Sequence, residues 1–193
     1  MGSRIHLAAV ALSMVVFTAD PAVGQGSTGS VSVTYTLLRD TDRDVTFARG
    51  AAVGGAYRLH EWLFVVAELA FSARHEDFSA VQGGTYDFRY QSLHVGPRVA
   101  PLAGRVQPYV EVLAGGTRLG IWERRLDRIG EWGTPDFSLQ PGLGVDVFLS
   151  RRLAVRVAGD LRLLFRHDQR FDRDYRTTLY RFNAGVAFHF GRD

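Results

Sequence analysis

The stretch LAVRVAGDLRLLF, residues 153–165, decides the fold. Leu153, Val155, Val157, Gly159, Leu161, Leu163 and Phe165 alternate with Ala154, Arg156, Ala158, Asp160, Arg162 and Leu164. Apolar residues at every second position put one bulky face and one small or charged face on an extended strand, a pattern no helix accommodates. The same alternation runs through residues 63–74, where Leu63, Val65, Leu69 and Phe71 oppose Phe64, Val66, Glu68 and Ser72. It returns over 139–149 and 182–190, and in weaker form over 31–38, 45–59, 93–99 and 108–117. These runs predict eight strands and no helix beyond the first two dozen residues.

Connection lengths alternate as well. Residues 60–62 and 150–152 are tight and 101–107 fairly short, whereas 39–45, 75–84, 118–136 and 167–176 are long and polar. Short turns at one end and long charged loops at the other are the pattern of a transmembrane up-and-down barrel. Residues 1–24 fit a secretory signal peptide: Arg4 without an acid, an apolar run over 7–17, and Ala22-Val23-Gly24 as small residues before a cleavage site. The expected organisation is therefore a signal peptide, 1–24, and one barrel domain, 25–193. That barrel is all-β, eight-stranded, antiparallel and transmembrane.

Residue size decides which face meets lipid. The polar face is also the small one, with Ala48, Gly50, Ala52, Gly54 and Ala56 beside Arg58, and Gly142 and Gly144 beside Asp146. Small residues belong inside a narrow barrel, and a uniformly bulky, nearly uncharged outer face belongs in lipid. The alternative is a soluble periplasmic lipocalin-like barrel around a small apolar ligand; a narrow pore is a further one.

The interior charges expected from this sorting balance: Arg58, Arg98, Arg156 and Arg162 against Glu68, Glu111, Asp146 and Asp160. Buried charges must pair and hydrogen-bond, and arginine offers five donors in a fixed fork, so a salt-bridged interior without an ion pathway is expected. Tyr57, Trp62, Phe71, Phe88, Tyr109, Phe165 and Tyr180 are assigned to the headgroup level, where amphipathic rings are favoured. Pro97 and Pro141 each remove a ladder donor, so a bulge or local break is expected at both.

In these features the mature chain resembles the small outer-membrane β-barrels of Gram-negative bacteria, the OmpA/OmpX-type and opacity-like barrels. The most specific pieces are Leu93-His94-Val95-Gly96-Pro97-Arg98, Pro108-Tyr109-Val110-Glu111-Val112-Leu113-Ala114-Gly115-Gly116, and Gly142-Leu143-Gly144-Val145-Asp146-Val147 running on to Arg156. The terminal strand resembles the signal read by the outer-membrane assembly machinery, with Asn183, Gly185, Phe188 and Phe190, although Gly191-Arg192-Asp193 follow the last aromatic. The resemblance implies an outer-membrane location, with lipid, lipopolysaccharide and the assembly machinery as partners.

Some barrels of this size modify lipid A, which would need serine, histidine and an acid converging on the lipid face. His60 falls in a turn, His75 and His167 in loops, and His94 and His189 on the inward face, so no enzyme, cofactor or metal site is expected. The chain has no cysteine, which removes thiol chemistry, disulfides and Cys-ligated metals. All 23 basic residues are arginine, and a net charge of +3 invites a nucleic-acid reading. Interior pairing and the mixing of Asp and Glu among the loop arginines leave no one-sided stripe for it. The loop residues Trp122, Arg124, Arg125, Arg128, Trp132, Arg170 and Arg173 are candidates for surface interaction. The expected function is a monomeric, non-enzymatic barrel with a structural or surface-interaction role.

Overall fold

The computed structural model describes residues 27–41, 45–77, 85–101, 104–123, 131–133, 135–168 and 173–191. The signal peptide expected over 1–24 lies outside them. Among the described residues ten strands form in chain order: β1 Gly29–Asp40, β2 Val45–Phe47, β3 Arg49–His60, β4 Leu63–Asp77, β5 Thr85–Val99, β6 Val106–Glu123, β7 Glu131–Trp132, β8 Asp136–Phe148, β9 Leu153–Asp168 and β10 Arg173–Phe190. Each long strand pairs antiparallel with its sequence neighbour, and β10 pairs back onto β1 from Phe190↔Gly29 to Leu179↔Asp40. With β2 an offset piece beside β3 and β7 a short addition to β6, the wall is a closed eight-strand barrel.

Alternation is the rule along the walls. Val155, Val157 and Leu161 are exposed, while Arg156, Ala158, Asp160 and Arg162 are buried. Leu143, Phe182, Leu93 and Val110 likewise stand on the outside at more than half exposure. Only a hydrocarbon surround makes an apolar outer surface of this extent stable, because in water it would drive association.

The strands run further toward the long connections than alternation alone indicates. His75, His167, Arg173 and Arg176 are strand residues, and Trp122 and Trp132 lie in β6 and β7. Polar residues at barrel ends sit above the apolar band and still complete ladder hydrogen bonds, so the hydropathy pattern fades before pairing does.

One expectation meets a local correction, and that of a bulge or break at the two prolines is met as a break. Ala48 is exposed, not on the inward face, because the β1 register changes by one residue between Leu38↔Phe47 and Tyr35↔Ala51. This bulge sends Phe47 inward, at 4% exposure, while Ala52 also faces inward beyond it. The carbonyl of Ala48 accepts the Tyr35 hydroxyl. At Pro97 the β5–β6 pairing lapses between Val95↔Ala114 and Arg98↔Glu111, and at Pro141 the β8–β9 pairing lapses between Leu139↔Leu163 and Gly142↔Asp160. Each is a one-sided break without a bulge, since the register is the same on both sides of it.

Candidate functional site in the barrel lumen

The lumen is layered along its axis. Nearest the turns, Arg98 of β5 bonds Glu111 of β6 through Nε at 2.8 Å and Nη2 at 2.7 Å. Arg156 of β9 grips Asp146 of β8 bidentately, Nε to Oδ1 at 2.8 Å and Nη2 to Oδ2 at 2.7 Å, and its Nη1 donates to Ser32 Oγ at 3.1 Å. The ring of Tyr109 lies near both guanidiniums, 4.1 Å from Arg98 and 5.3 Å from Arg156. Tyr109 is thus a lumen residue at 4% exposure rather than part of the headgroup belt, because its neighbours in alternation are Glu111 and Gln107. Arg58 lies over the Phe64 ring at 5.4 Å.

At mid-height a chain of bonds crosses the lumen. Arg181 of β10 donates Nε to Asp160 Oδ2 at 2.9 Å and Nη2 to Glu68 Oε1 at 2.6 Å. Glu68 also accepts Gln140 Nε2 at 3.2 Å, and Gln140 Oε1 accepts Arg162 Nη2 at 3.0 Å. Asn183 Nδ2 donates to Asp160 Oδ2 at 2.9 Å. Since β4, β8 and β10 stand apart around the wall, Glu68 ties opposite sides together. Beside this chain, Ser138 Oγ lies 2.7 Å from His94 Nε2 and 2.9 Å from Thr117 Oγ1.

Three of the acid–base pairs are direct cross-strand partners: Arg98↔Glu111, Asp146↔Arg156 and Arg181↔Asp160. Facing positions lie about 5 Å apart, which suits an arginine–carboxylate pair. Arg181 is what alternation over 182–190 misses, for the strand begins nine residues earlier at Arg173; Gln140 and Asn183 fall within the alternating runs and bring uncharged partners to the network. Arg162 bonds the neutral Gln140 and not the expected carboxylate. Arg181 and the buried Asp40 join the inward charges expected from the sequence.

Toward the long connections, Leu38, Phe47, Tyr90, Leu164 and Leu179 form an apolar cluster, flanked by Val45, Phe88 and Leu119. Phe47 and Tyr90 meet edge to face at 5.0 Å. Phe88 therefore also leaves the expected headgroup belt, whereas Tyr57, Trp62, Phe71, Phe165 and Tyr180 are exposed on the outside. His94 and His189 are buried in the lumen, so neither side chain reaches the lipid face.

Gly185 sits where β10 closes on β1: a Cβ there would lie 2.1 Å from Val33 O and 2.6 Å from Thr34 Cα. Phe188 and Phe190 point outward at about half exposure, and Asn183 points inward. Of the loop candidates, Arg124, Arg125, Arg128 and Arg170 lie outside the described residues.

Residues 6–190 match the family model described as outer membrane protein β-barrel domain. Among solved structures, the chain is similar to Neisserial surface protein A, with a TM-score of 0.65 at 12% identity over 84% of this chain and 96% of that one. Outer membrane protein OprG of Pseudomonas aeruginosa aligns at a TM-score of 0.55 and 11% identity, covering 90% and 100%. The attachment invasion locus protein Ail of Yersinia pestis, solved with the heparin analogue sucrose octasulfate, aligns at 0.54 and 16%, covering 85% and 97%. No curated protein matches the chain.

Proposed function

The chain belongs to the outer membrane protein β-barrel domain family, whose place is the cell outer membrane, and from that premise we propose that it is a non-enzymatic structural and surface-interaction barrel with a closed lumen. The observation that carries this reading is the filled interior. The Arg162–Gln140–Glu68–Arg181–Asp160 chain crosses it at mid-height, and the cluster around Leu38 and Leu179 occupies the end nearest the long connections. An eight-strand barrel has room for its side chains and little else. Charges locked in pairs are poor ion ligands, and apolar packing above them disfavours water.

Function then falls to the outer surface: strand walls in contact with lipid and lipopolysaccharide, and the charged connections. Export through the signal peptide over 1–24, insertion by the assembly machinery reading Asn183, Gly185, Phe188 and Phe190, and a monomeric state belong to the same proposal. Support for a non-catalytic role comes from the inward placement of His94 and His189. Planar-bilayer recording of the purified barrel is the test. The expected result is a flat baseline at all voltages below membrane breakdown, and discrete unitary steps that survive repurification would replace the closed barrel with a pore.

A further inference from the structure

The two proline breaks in the wall fall side by side. Pairing of β5 with β6 stops at Val95↔Ala114 and resumes at Arg98↔Glu111, and pairing of β8 with β9 stops at Leu139↔Leu163 and resumes at Gly142↔Asp160. Between the two gaps, β6 and β8 pair without interruption from Val106↔Val147 to Thr117↔Asp136. Through that register both gaps occupy the same two rows, Val112↔Pro141 and Leu113↔Gln140. A continuous two-stranded ribbon is therefore loosened from both of its neighbours at one height.

The attachments on either side of the gaps are lopsided. Among the described pairings on the turn side, β6 keeps Arg98↔Glu111 and Val99↔Val110 with β5, whereas toward the long connections it stays paired from Ala114 to Glu123. Strand β8 shows the reverse, paired with β9 from Gly142 to Phe148 on the turn side and from Phe137 to Leu139 on the other. Two diagonally opposite corners of the ribbon are thus held by long ladders and the other two by short blocks. An arginine secures each short block from the lumen. Glu111 accepts Arg98 Nε at 2.8 Å. Gln140 and Arg162 are the residues that face each other within the β8–β9 gap, and Arg162 Nε and Nη2 both donate to Gln140 Oε1, at 3.3 and 3.0 Å. That position accounts for the uncharged partner of Arg162: the link from guanidinium to amide stands where Pro141 supplies no ladder donor.

We infer that the β6–β8 ribbon is a rocking plate in the barrel wall, latched by Arg162–Gln140 and Arg98–Glu111, and that it couples the turn end of the barrel to the end with the long connections. A plate held at two opposite corners turns about the line that joins them, so its two loose corners move together. The unbroken β6–β8 ladder, closed at the turn end by Phe148 N donating to Arg105 O at 2.8 Å, keeps the plate stiff. Local opening of this kind belongs where ladder bonds are fewest, which here is at the short blocks. In sequence, Arg124, Arg125 and Arg128 lie between β6 and β7, so a contact that favours one tilt of the plate at those residues biases the turn end as well.

Hydrogen exchange of backbone amides, followed by NMR on the isotope-labelled barrel in detergent micelles, tests the coupling. Val99 and Val110 report one loose corner, Leu139 and Leu163 the other, and Val33 and Val186 in the β1–β10 seam serve as reference. Pro141→Val restores a donor and should slow exchange about fivefold at both corners, the effect of one hydrogen bond. Arg162→Met releases the latch and should speed exchange about fivefold at both, with the reference amides unchanged in either variant. Heat-modifiable mobility reports folding, and Pro97→Val, which should also slow both corners, replaces a variant that does not fold. A change confined to the corner nearest the substitution, an equal change at the reference amides, or no change at either corner overturns the inference.

Discussion

Asp160 carries more of the lumen's polar bonding than its single charge suggests, since both its oxygens accept Arg181 and Oδ2 also accepts Asn183. Asp160→Ala leaves a buried guanidinium with only Glu68, and breaking a buried pair from one side costs about 3–5 kcal/mol. The urea midpoint for loss of heat-modifiable mobility should fall accordingly, and Asp160→Ala/Arg181→Met should recover part of the loss, because the orphaned cation is then gone as well. An unchanged midpoint for Asp160→Ala would show that the pair contributes nothing. Gly144 is a second sensitive position: a Cβ there would lie 2.5 Å from the Tyr109 ring, which the Arg98 and Arg156 guanidiniums flank. Gly144→Val should destabilise by about 1–3 kcal/mol in the same assay, as overpacking does. Of these residues, the charges of 153–165 were legible because they interrupt a strong apolar alternation. Arg181 was not, because the polar residues around it blur the strand's beginning. Tyr109 was misplaced because an aromatic near a strand end suits a headgroup belt and a lumen equally well by composition; only parity with Glu111 separates the two.

At the level of strands, closure depends on the β1–β10 seam. The short approach at Gly185 makes a side chain there incompatible with the present seam, so Gly185→Val should leave much of the protein without the heat-modifiable form. Gly55 is the comparison, with open space where its Cβ would stand, and Gly55→Val on the lipid face should fold like the parent. Equal folding of the two variants would contradict the seam. Alternation located every long strand, yet the bulge at Ala48 escaped it, because Val45 and Phe47 have the same bulky chemistry whether they face lipid or the apolar cluster of the lumen. The prolines behaved otherwise. A missing donor was readable from sequence, but which neighbour loses its pairing is fixed by strand order, and β5 and β8 each keep one continuous partner past Pro97 and Pro141.

For the whole molecule, a mean hydropathy of −0.05 conceals two opposed surfaces. The outside is apolar between its ends, and the inside is charged at mid-height with an apolar cluster above it. The net charge of +3 is likewise an average: among the described residues, charges of both signs pair in the lumen, and the outward arginines gather at one rim. This inversion of the soluble-protein pattern is the central claim, and the absence of cysteine makes it directly measurable. Single cysteines at Val155, Val157 and Leu161, and at the inward Ala154 and Ala158, are spin-labelled in the folded barrel in bilayers. Collision with oxygen, which concentrates in lipid, is compared with collision with a water-soluble relaxant. The account predicts oxygen-dominated collision at 155, 157 and 161, deepest at 157, with labels at 154 and 158 shielded from lipid. Lipid contact at 154 and 158 together with shielding at 155 and 157 would contradict it, and would mean that the charged face lies outside.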